Sequence, residues 1–455
     1  MATATLTTRN SLKTIEWKWQ SNPNPWSKTE PPTWSHYSDV ENLIIERAFL
    51  NKQSGAILDA YYIDFESNRQ ISINNNNNQR PIERIVRKKE DQHLREERFM
   101  DLPVASDRSF GGEYGWVSPF VLEVRKYLGL CPDELPSKKP DMILGLVEKA
   151  AHGIIEEGKH IGKEKEAEEL ANILQEKKNK GIEEVWECCA YLYSLESFLY
   201  KTLNANMRLV GSKEEEHTWR QTVRTLGPFC LLLWDDPYNK KVRTNIELYR
   251  GAKLKPEQIA AYKKMAMNEN EYGSFQGFSS CSRNRGKAER FGNALFIMKV
   301  LFAFTADISE LSKYPKEEEE LVTPGVCFRV MFVEEEPETG KYLIYLELRQ
   351  RFSTEDHKQI SIQKKSNTEE DAFACDIDIF VDVNGRLYRH VGLGLSGCDG
   401  IILATVRDYD DYADIIDDHG LLALRDRRVN AIYDAYDTHV DRFADFGYGR
   451  DGNWL

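Results

Sequence analysis

The chain has 455 residues, a formal net charge of −13 and 41% hydrophobic residues, which is more than one hydrophobic core usually organises, so two or three domains are expected. That acidity argues against general nucleic-acid binding by the whole molecule, one local basic patch excepted; no sequence-specific nucleic-acid partner is expected, and no apolar run approaches the roughly 20 residues of a membrane span. Met1–Asn10 lacks an apolar signal-type stretch, and Cys131, Cys188, Cys189, Cys230, Cys281, Cys327, Cys375 and Cys398 form no C-x-x-C pair and no zinc spacing. They read as buried thiols of a reducing compartment, cytoplasmic or nuclear, with no metal.

Residues 1–90 form the first module. Trp17, Trp19, Trp26 and Trp34 crowd its start, followed by Tyr37, Tyr61, Tyr62 and Phe65. Alternation in Ile15–Trp19 and Tyr61–Phe65 predicts strands, and the polar start and spacing of Asp39–Phe49 predict a capped helix, together a small half-barrel with one helix. The pattern Trp17-x-Trp19, Trp34-x-x-Tyr37-Ser38, Ile45-Glu46-x-Ala48, Tyr62-x-Asp64-Phe65, Gln70 and Arg80-x-x-x-Arg84 resembles the WWE domain. The resemblance implies binding of the iso-ADP-ribose unit of poly(ADP-ribose), or else of a protein partner. Trp19, Trp34 and Tyr61 would stack an adenine, Gln70 would read base or ribose edges, and Arg80 and Arg84, with Arg87, Lys88 and Lys89, would neutralise phosphates. For Trp17 and Trp34 a plain core role competes with ligand binding. The five asparagines Asn74–Asn78 enlarge a loop and leave the register of Arg80 and Arg84 open.

Residues 91–114 lack a core pattern and read as a linker, so the flanking modules are expected to move independently. Helical spacing follows from Gly115 to Arg208. Val185, Cys188, Leu192, Leu195, Leu199 and Leu203 form one apolar stripe, and Gly162–Leu174 carries opposed charges a turn apart, as on an exposed helix.

Strands are expected over residues 245–350: Glu247–Gly251, the hydroxyl-rich Phe275–Ser282, Ala294–Phe304, the acidic run Glu317–Glu320, Gly325–Val333 and Tyr342–Leu348. Four consecutive carboxylates are usually a solvated face. Placed between strand-forming segments they are expected to enter a strand themselves, which puts Glu318 and Glu320 on one face and Glu317 and Glu319 on the other. A pair of acids on one face suits stabilisation of a developing cation and orientation of a nucleophile.

In that order, Tyr249-Arg250-Gly251, Phe278-Ser-Ser-Cys-Ser282 and the segment Ile308–Val322 with its Glu318-x-Glu320 resemble the arginine-type mono-ADP-ribosyltransferases of the R-S-E class, over residues 115–350. Cys281 stands where Thr is usual and Thr323 where an apolar residue is usual. The resemblance implies an α+β chain, in which the WWE half-barrel precedes a helical lobe and a two-sheet β sandwich. It implies NAD as the donor substrate, with NADP as an alternative, and arginine-bearing proteins as acceptors, beside poly(ADP-ribose) or modified proteins for the first module. Arg250 would clamp the pyrophosphate, Gly251 and Ser282 would complete the nucleotide contacts, and Ser280 would position Glu320 and the nicotinamide ribose. Glu320 would stabilise the cationic transition state, and Tyr314 and Glu318 would meet the acceptor. An NAD glycohydrolase and an inactive polymer-binding adaptor are the competing readings. A poly(ADP-ribose) polymerase is disfavoured, because Tyr249-Arg250-Gly251 replaces the His-Gly pair of that class.

Residues 351–455 fall outside the resemblance. From Ser353 onward there are 21 acidic residues against 11 basic ones. Ile377–Tyr388 reads as a hairpin with an Asn-Gly turn, while Asp408–Tyr412 and Asp414–Asp418 lack the spacing of a calcium loop and read as a solvated acidic face.

Overall fold

The structure is a computed structural model. It describes residues 15–86, 118–130, 135–210, 214–238, 246–268 and 272–350, and the backbone of three strands within 376–405. The chain divides into two compact bodies: residues 1–99, 140–235 and 307–319 in the first, and residues 100–139, 236–306 and 320–455 in the second. Among the described residues no helix is long and apolar enough to cross a membrane.

The first body opens with the half-barrel. Its strands are β1 (Ile15–Gln20), β2 (Trp34–His36), β3 (Gly55–Ile57), β4 (Tyr61–Asp64), β5 (Arg69–Ser72) and β6 (Gln79–Val86), paired in the order β2-β1-β6-β5-β4-β3. Helix α1 (Asp39–Leu50) starts from a capping box, with the Ser38 hydroxyl accepting from the Glu41 amide and the Glu41 carboxylate accepting from the Ser38 amide. The cap is therefore Ser38, and Asp39 is the first helical residue. Trp17, Tyr37, Ile45, Ala48, Leu58, Ile63 and Ile82 fill the core. The asparagine run closes on itself, Ser72 donating to the Asn78 carbonyl at 3.0 Å, and leaves β6 in one register, Arg80 opposite Gln70 and Arg84 opposite Trp17.

Six helices follow in the same body: α3 (Ile143–His160), α4 (Glu164–Gln175), α5 (Ile182–Ser194), α6 (Phe198–Met207), α7 (Glu216–Thr225) and α8 (Gly227–Trp234), with α2 (Pro119–Leu128) in the second body. The apolar stripe from Val185 to Leu203 is buried throughout, but it belongs to two helices. The chain turns extended at Leu195, and Ser197 caps α6 by accepting from the Leu199 amide at 3.3 Å. The Glu166 carboxylate accepts the Phe198 amide at 2.9 Å, so a side chain from α4 caps α6 as well. Helix α8, Gly-Pro-Phe-Cys-Leu-Leu-Leu-Trp, is apolar all round and buried all round.

Helix α4 is not the exposed helix its charges suggest. The half-barrel covers it: Asp59 accepts the Lys165 amide at 2.6 Å and the Glu166 amide at 3.4 Å, capping α4 across the chain, and Arg47 meets Glu169 at 2.9 Å. Burial raises the pKa of both Glu166 and Glu169. The half-barrel and the helices thus share one compact body, joined by these part-buried pairs, where a linker-joined module free to move was expected.

The second body is built on strands β7 (Ile246–Ala252), β8 (Tyr272–Ser274), β9 (Ser279–Ser282), β10 (Ala294–Phe302), β11 (Thr305–Asp307), β12 (Glu319–Val322), β13 (Val326–Glu335) and β14 (Tyr342–Gln350). They follow the order β11-β12-β9-β7-β10-β14-β13-β8, with β10 and β14 parallel. Strands β9 and β7 meet through the pair Tyr249 with Ser282, which links β11, β12 and β9 to the other five strands in one eight-stranded sheet. Helix α9 (Pro256–Ala266) lays Ile259, Tyr262 and Met265 on Phe275, Phe296 and Phe328, and α10 (Arg285–Ala288) follows β9. Farther on, β15 (Asp376–Val381), β16 (Arg386–Gly392) and β17 (Ile401–Thr405) pair as an antiparallel sheet, with β15 and β16 as the two arms of the expected hairpin. Its Asn-Gly turn and the acidic runs from Asp408 to Asp418 lie outside the described residues.

Candidate active site

Three neighbouring strands, β7, β9 and β12, carry the residues of the Arg, Ser and Glu motifs. On β9 the residues alternate in environment. Cys281 faces the apolar core, while Ser280 and Ser282 occupy the opposite side of the strand. Cys281 therefore replaces a threonine at a core-facing position, where a small apolar thiol packs without an unmatched hydroxyl. Ser282 accepts from the Asn284 amide at 3.0 Å and donates to the Asn284 carbonyl at 3.2 Å, which fixes the turn from β9 into α10.

Arg250 is only 2% exposed and donates from Nη1 to the Ser280 carbonyl at 3.1 Å. Its guanidinium thus ties β7 to β9 and sets a fixed positive charge behind the serine strand. Gly251 must be glycine, because a Cβ there would sit 2.3 Å from the Ala288 carbonyl oxygen and 2.6 Å from the Phe291 Cβ. That close approach brings α10 against β7.

The acidic run differs from its expectation in conformation. A short 3₁₀ turn covers Pro315–Glu317, Glu318 follows in the left-handed region at φ 49°, and β12 begins only at Glu319. Strand alternation hence does not relate Glu318 to Glu320. A non-glycine residue in the left-handed region costs about 1–3 kcal/mol, and such residues cluster where a side chain must be aimed. Glu317, Glu319 and Glu320 are buried, so Glu318 is the half-buried member of the four. A solvated acidic face is excluded by that burial.

Glu320 is 1% exposed and well anchored: Thr305 Oγ1 donates to its Oε1 at 2.5 Å, and Arg283 Nη1 reaches its Oε2 at 3.4 Å. Neither Thr305 nor Arg283 belongs to a motif. Arg283 could have been suspected as the residue directly after the serine strand, whereas Thr305 lies 15 residues before its partner and carries no local signal. Tyr314 is 3% exposed and donates its hydroxyl to Asp39 at 2.7 Å, so its phenol does not lie open to an acceptor as expected. Among the described residues no group of three or more His, Cys, Asp or Glu could hold a metal ion.

In the half-barrel, Arg84 is committed to Glu46, with Nη2 at 2.6 Å from Oε1 and Nε at 2.9 Å from Oε2, and Trp17 Nε1 donates to the same carboxylate at 2.8 Å. Glu46 is fully buried, so this is a core clamp that takes Arg84 away from a phosphate role. Gln70 is buried and accepts the Tyr37 hydroxyl at 2.8 Å. Trp19, Trp34 and Tyr61 are half-buried, and Arg80 lies 5.4 Å over the Trp19 ring while donating to the Gln20 and Asn22 carbonyls. Of the six residues expected to meet a polymer, Trp19 and Arg80 are thus stacked together, with Gln70 opposite Arg80 in the sheet.

Residues 163–354 match the family described as NAD:arginine ADP-ribosyltransferase, and residues 15–84 match the WWE domain. No curated protein matches the chain. Among solved structures it is similar to the ADP-ribosyltransferase HopU1 of Pseudomonas syringae, at 18% identity over 40% of this chain and 87% of that one, with a TM-score of 0.31. It is also similar to Exoenzyme S of Pseudomonas aeruginosa, solved with human 14-3-3 protein beta and carba-NAD, at 16% identity over 49% of this chain and 99% of that one, with a TM-score of 0.30. The type III effector XopAI of Xanthomonas axonopodis gives 15% identity over 46% and 88%, with a TM-score of 0.33. With the Arg, Ser and Glu motifs on three adjacent strands and the Trp17–Glu46–Arg84 clamp in the half-barrel, the chain joins a WWE domain to a domain of the NAD:arginine ADP-ribosyltransferase family.

Proposed function

We propose that the protein transfers ADP-ribose from NAD to arginine side chains of other proteins, and that its WWE domain binds poly(ADP-ribose). The single observation that supports transfer best is Glu320, a carboxylate on β12, the strand next to the serine strand, held in a buried site by the hydroxyl of Thr305 on β11 at its other side. When the bond from nicotinamide to the ribose anomeric carbon breaks, its electron pair leaves with nicotinamide and the ribose becomes cationic. A preorganised carboxylate in a water-poor site stabilises that charge by several kcal/mol. Arg250 acts on the same site from behind β9, as a fixed charge and a brace for Ser280. Such a charge favours the pyrophosphate of the donor.

Glu318 carries the arginine specificity in this reading. A guanidinium has a pKa above about 12 and is a poor nucleophile while protonated, so an acceptor arginine needs a carboxylate to orient it and take its proton. Water needs this far less. Glu318 is the least buried of the four acids and stands at a strained backbone position two residues before Glu320, which suits an aimed side chain.

The test uses labelled NAD with agmatine or an arginine-rich protein as acceptor. Wild type is expected to form the ADP-ribosyl adduct and release nicotinamide, and Glu318→Gln to lower transfer by about a hundredfold, the scale of a positioned base, while NAD hydrolysis survives. Adducts on another side chain, or equal loss of both reactions in the variant, would overturn the arginine reading.

A further inference from the structure

Asp39, at the first turn of α1 in the WWE domain, has no part in the polymer-binding pattern, yet it is 4% exposed and heavily used. Its Oδ1 accepts from Lys313 Nζ and from the Tyr314 hydroxyl, each at 2.7 Å, and its Oδ2 accepts the Glu196 amide at 2.8 Å. Lys313 and Tyr314 are themselves buried. Hydrogen bonds of this length to an ionised acceptor are strong, and all three donors converge on one carboxylate shielded from water.

What Asp39 holds is the segment that leads into the acidic run. Residues 308–318 leave and return at one point, where the Ile308 amide donates to the Glu319 carbonyl at 3.1 Å. Inside, Ser309 is pinned to Asp307, the Tyr314 amide donates to the Ser312 hydroxyl at 3.1 Å, and the 3₁₀ turn delivers the chain to Glu318 at φ 49°. The base of this loop is fixed by the backbone and its far side by Asp39. A conformation that costs energy at Glu318 persists only if its surroundings over-determine it, and Lys313 and Tyr314 are the residues through which that constraint enters.

We infer that Asp39 is a positioning residue of the transferase: through Lys313 and Tyr314 it sets the backbone that aims Glu318, so that the WWE domain is a working part of the acceptor site. The inference rests on the acceptor role proposed for Glu318. It separates Asp39 from Asp59, which joins the same domain to α4 by accepting helix amides.

The experiment compares full-length wild type, Asp39→Asn, Tyr314→Phe, their double variant and Asp59→Asn. Asp39→Asn is expected to raise the acceptor KM or lower transfer by about tenfold, the scale of a lost hydrogen bond to a charged group, with NAD hydrolysis within about twofold of wild type. Tyr314→Phe should act in the same direction, and the double variant should be no worse than the more severe single one, as for two groups in one interaction. Asp59→Asn should leave the ratio of transfer to hydrolysis unchanged. Amide exchange over residues 308–319 is read in parallel and should quicken in Asp39→Asn and not in Asp59→Asn. Unchanged exchange in that loop, or a transfer-to-hydrolysis ratio altered as much by Asp59→Asn as by Asp39→Asn, overturns the inference. Absence of transfer in the wild type overturns the proposed function instead, and loop exchange still decides the role of Asp39.

Discussion

The WWE domain and the transferase domain spend their motif residues differently. In the half-barrel the buried motif side chains bond to one another, Trp17 and Arg84 both donating to Glu46 and Tyr37 to Gln70, while the half-buried Arg80 donates to backbone carbonyls. In the transferase domain they bond to backbone or to residues outside the motifs: Arg250 to the Ser280 carbonyl, Ser282 to Asn284, Glu320 to Thr305 and Arg283. A motif closed on itself is mainly architecture, and its loss costs folding. A motif braced by its scaffold keeps its fold when one member is neutralised, and its loss costs chemistry.

The largest expected effect tests the second half of that contrast. Glu320→Gln keeps the shape and the Thr305 hydrogen bond but removes the charge, so both NAD hydrolysis and transfer should fall by at least about a hundredfold, as when a group used at the transition state is lost. Steady-state nicotinamide release measures this, and the thermal midpoint should stay near wild type. A variant that loses its fold along with its activity would show Glu320 to be as architectural as Glu46.

The next effect tests the first half. Arg84→Leu leaves Glu46 buried without its bidentate partner, which should cost about 3 kcal/mol of stability, read from denaturant unfolding of the full chain. Hydrogen bonding to Glu46 already raises the Arg84 pKa, in keeping with a charge held by the core. A stable Arg84→Leu that loses only polymer binding would return Arg84 to the ligand face.

The same contrast explains what could be read from the sequence. The half-barrel was legible from the alternation in β1 and β4 and the helical spacing of α1, and the register left open by the asparagine run was closed by local turn bonds. The strands of the transferase domain were legible from β-branched and aromatic runs. The break at Leu195 was not, because the apolar stripe continues through it and the cap that makes it, Glu166, comes from another helix. The left-handed turn at Glu318 was not, because four glutamates in a row offer no glycine or asparagine to mark it. Asp39 and Thr305 were invisible for a simpler reason: their partners lie 274 and 15 residues away.

The smallest effect asks whether the half-barrel keeps any residue for a ligand alone. Trp19 is half-buried and stacked under Arg80, and it is not part of the Glu46 clamp, whereas Gln70 is buried and bonded to Tyr37. Removing Gln70 therefore strands a buried tyrosine hydroxyl and should lower stability and binding together. Removing Trp19 deletes a stacking face while leaving the polar core intact. Trp19→Ala in the full chain is expected to weaken binding of iso-ADP-ribose by about 1–3 kcal/mol, the range of one lost base–aromatic stack. Titration calorimetry measures the affinity and urea unfolding the stability, and Gln70→Ala should fall on both axes where Trp19→Ala falls mainly on the first. If Trp19→Ala instead loses stability with affinity unchanged, Trp19 belongs to the architecture as well, and the polymer site must be sought away from the Arg80 stack.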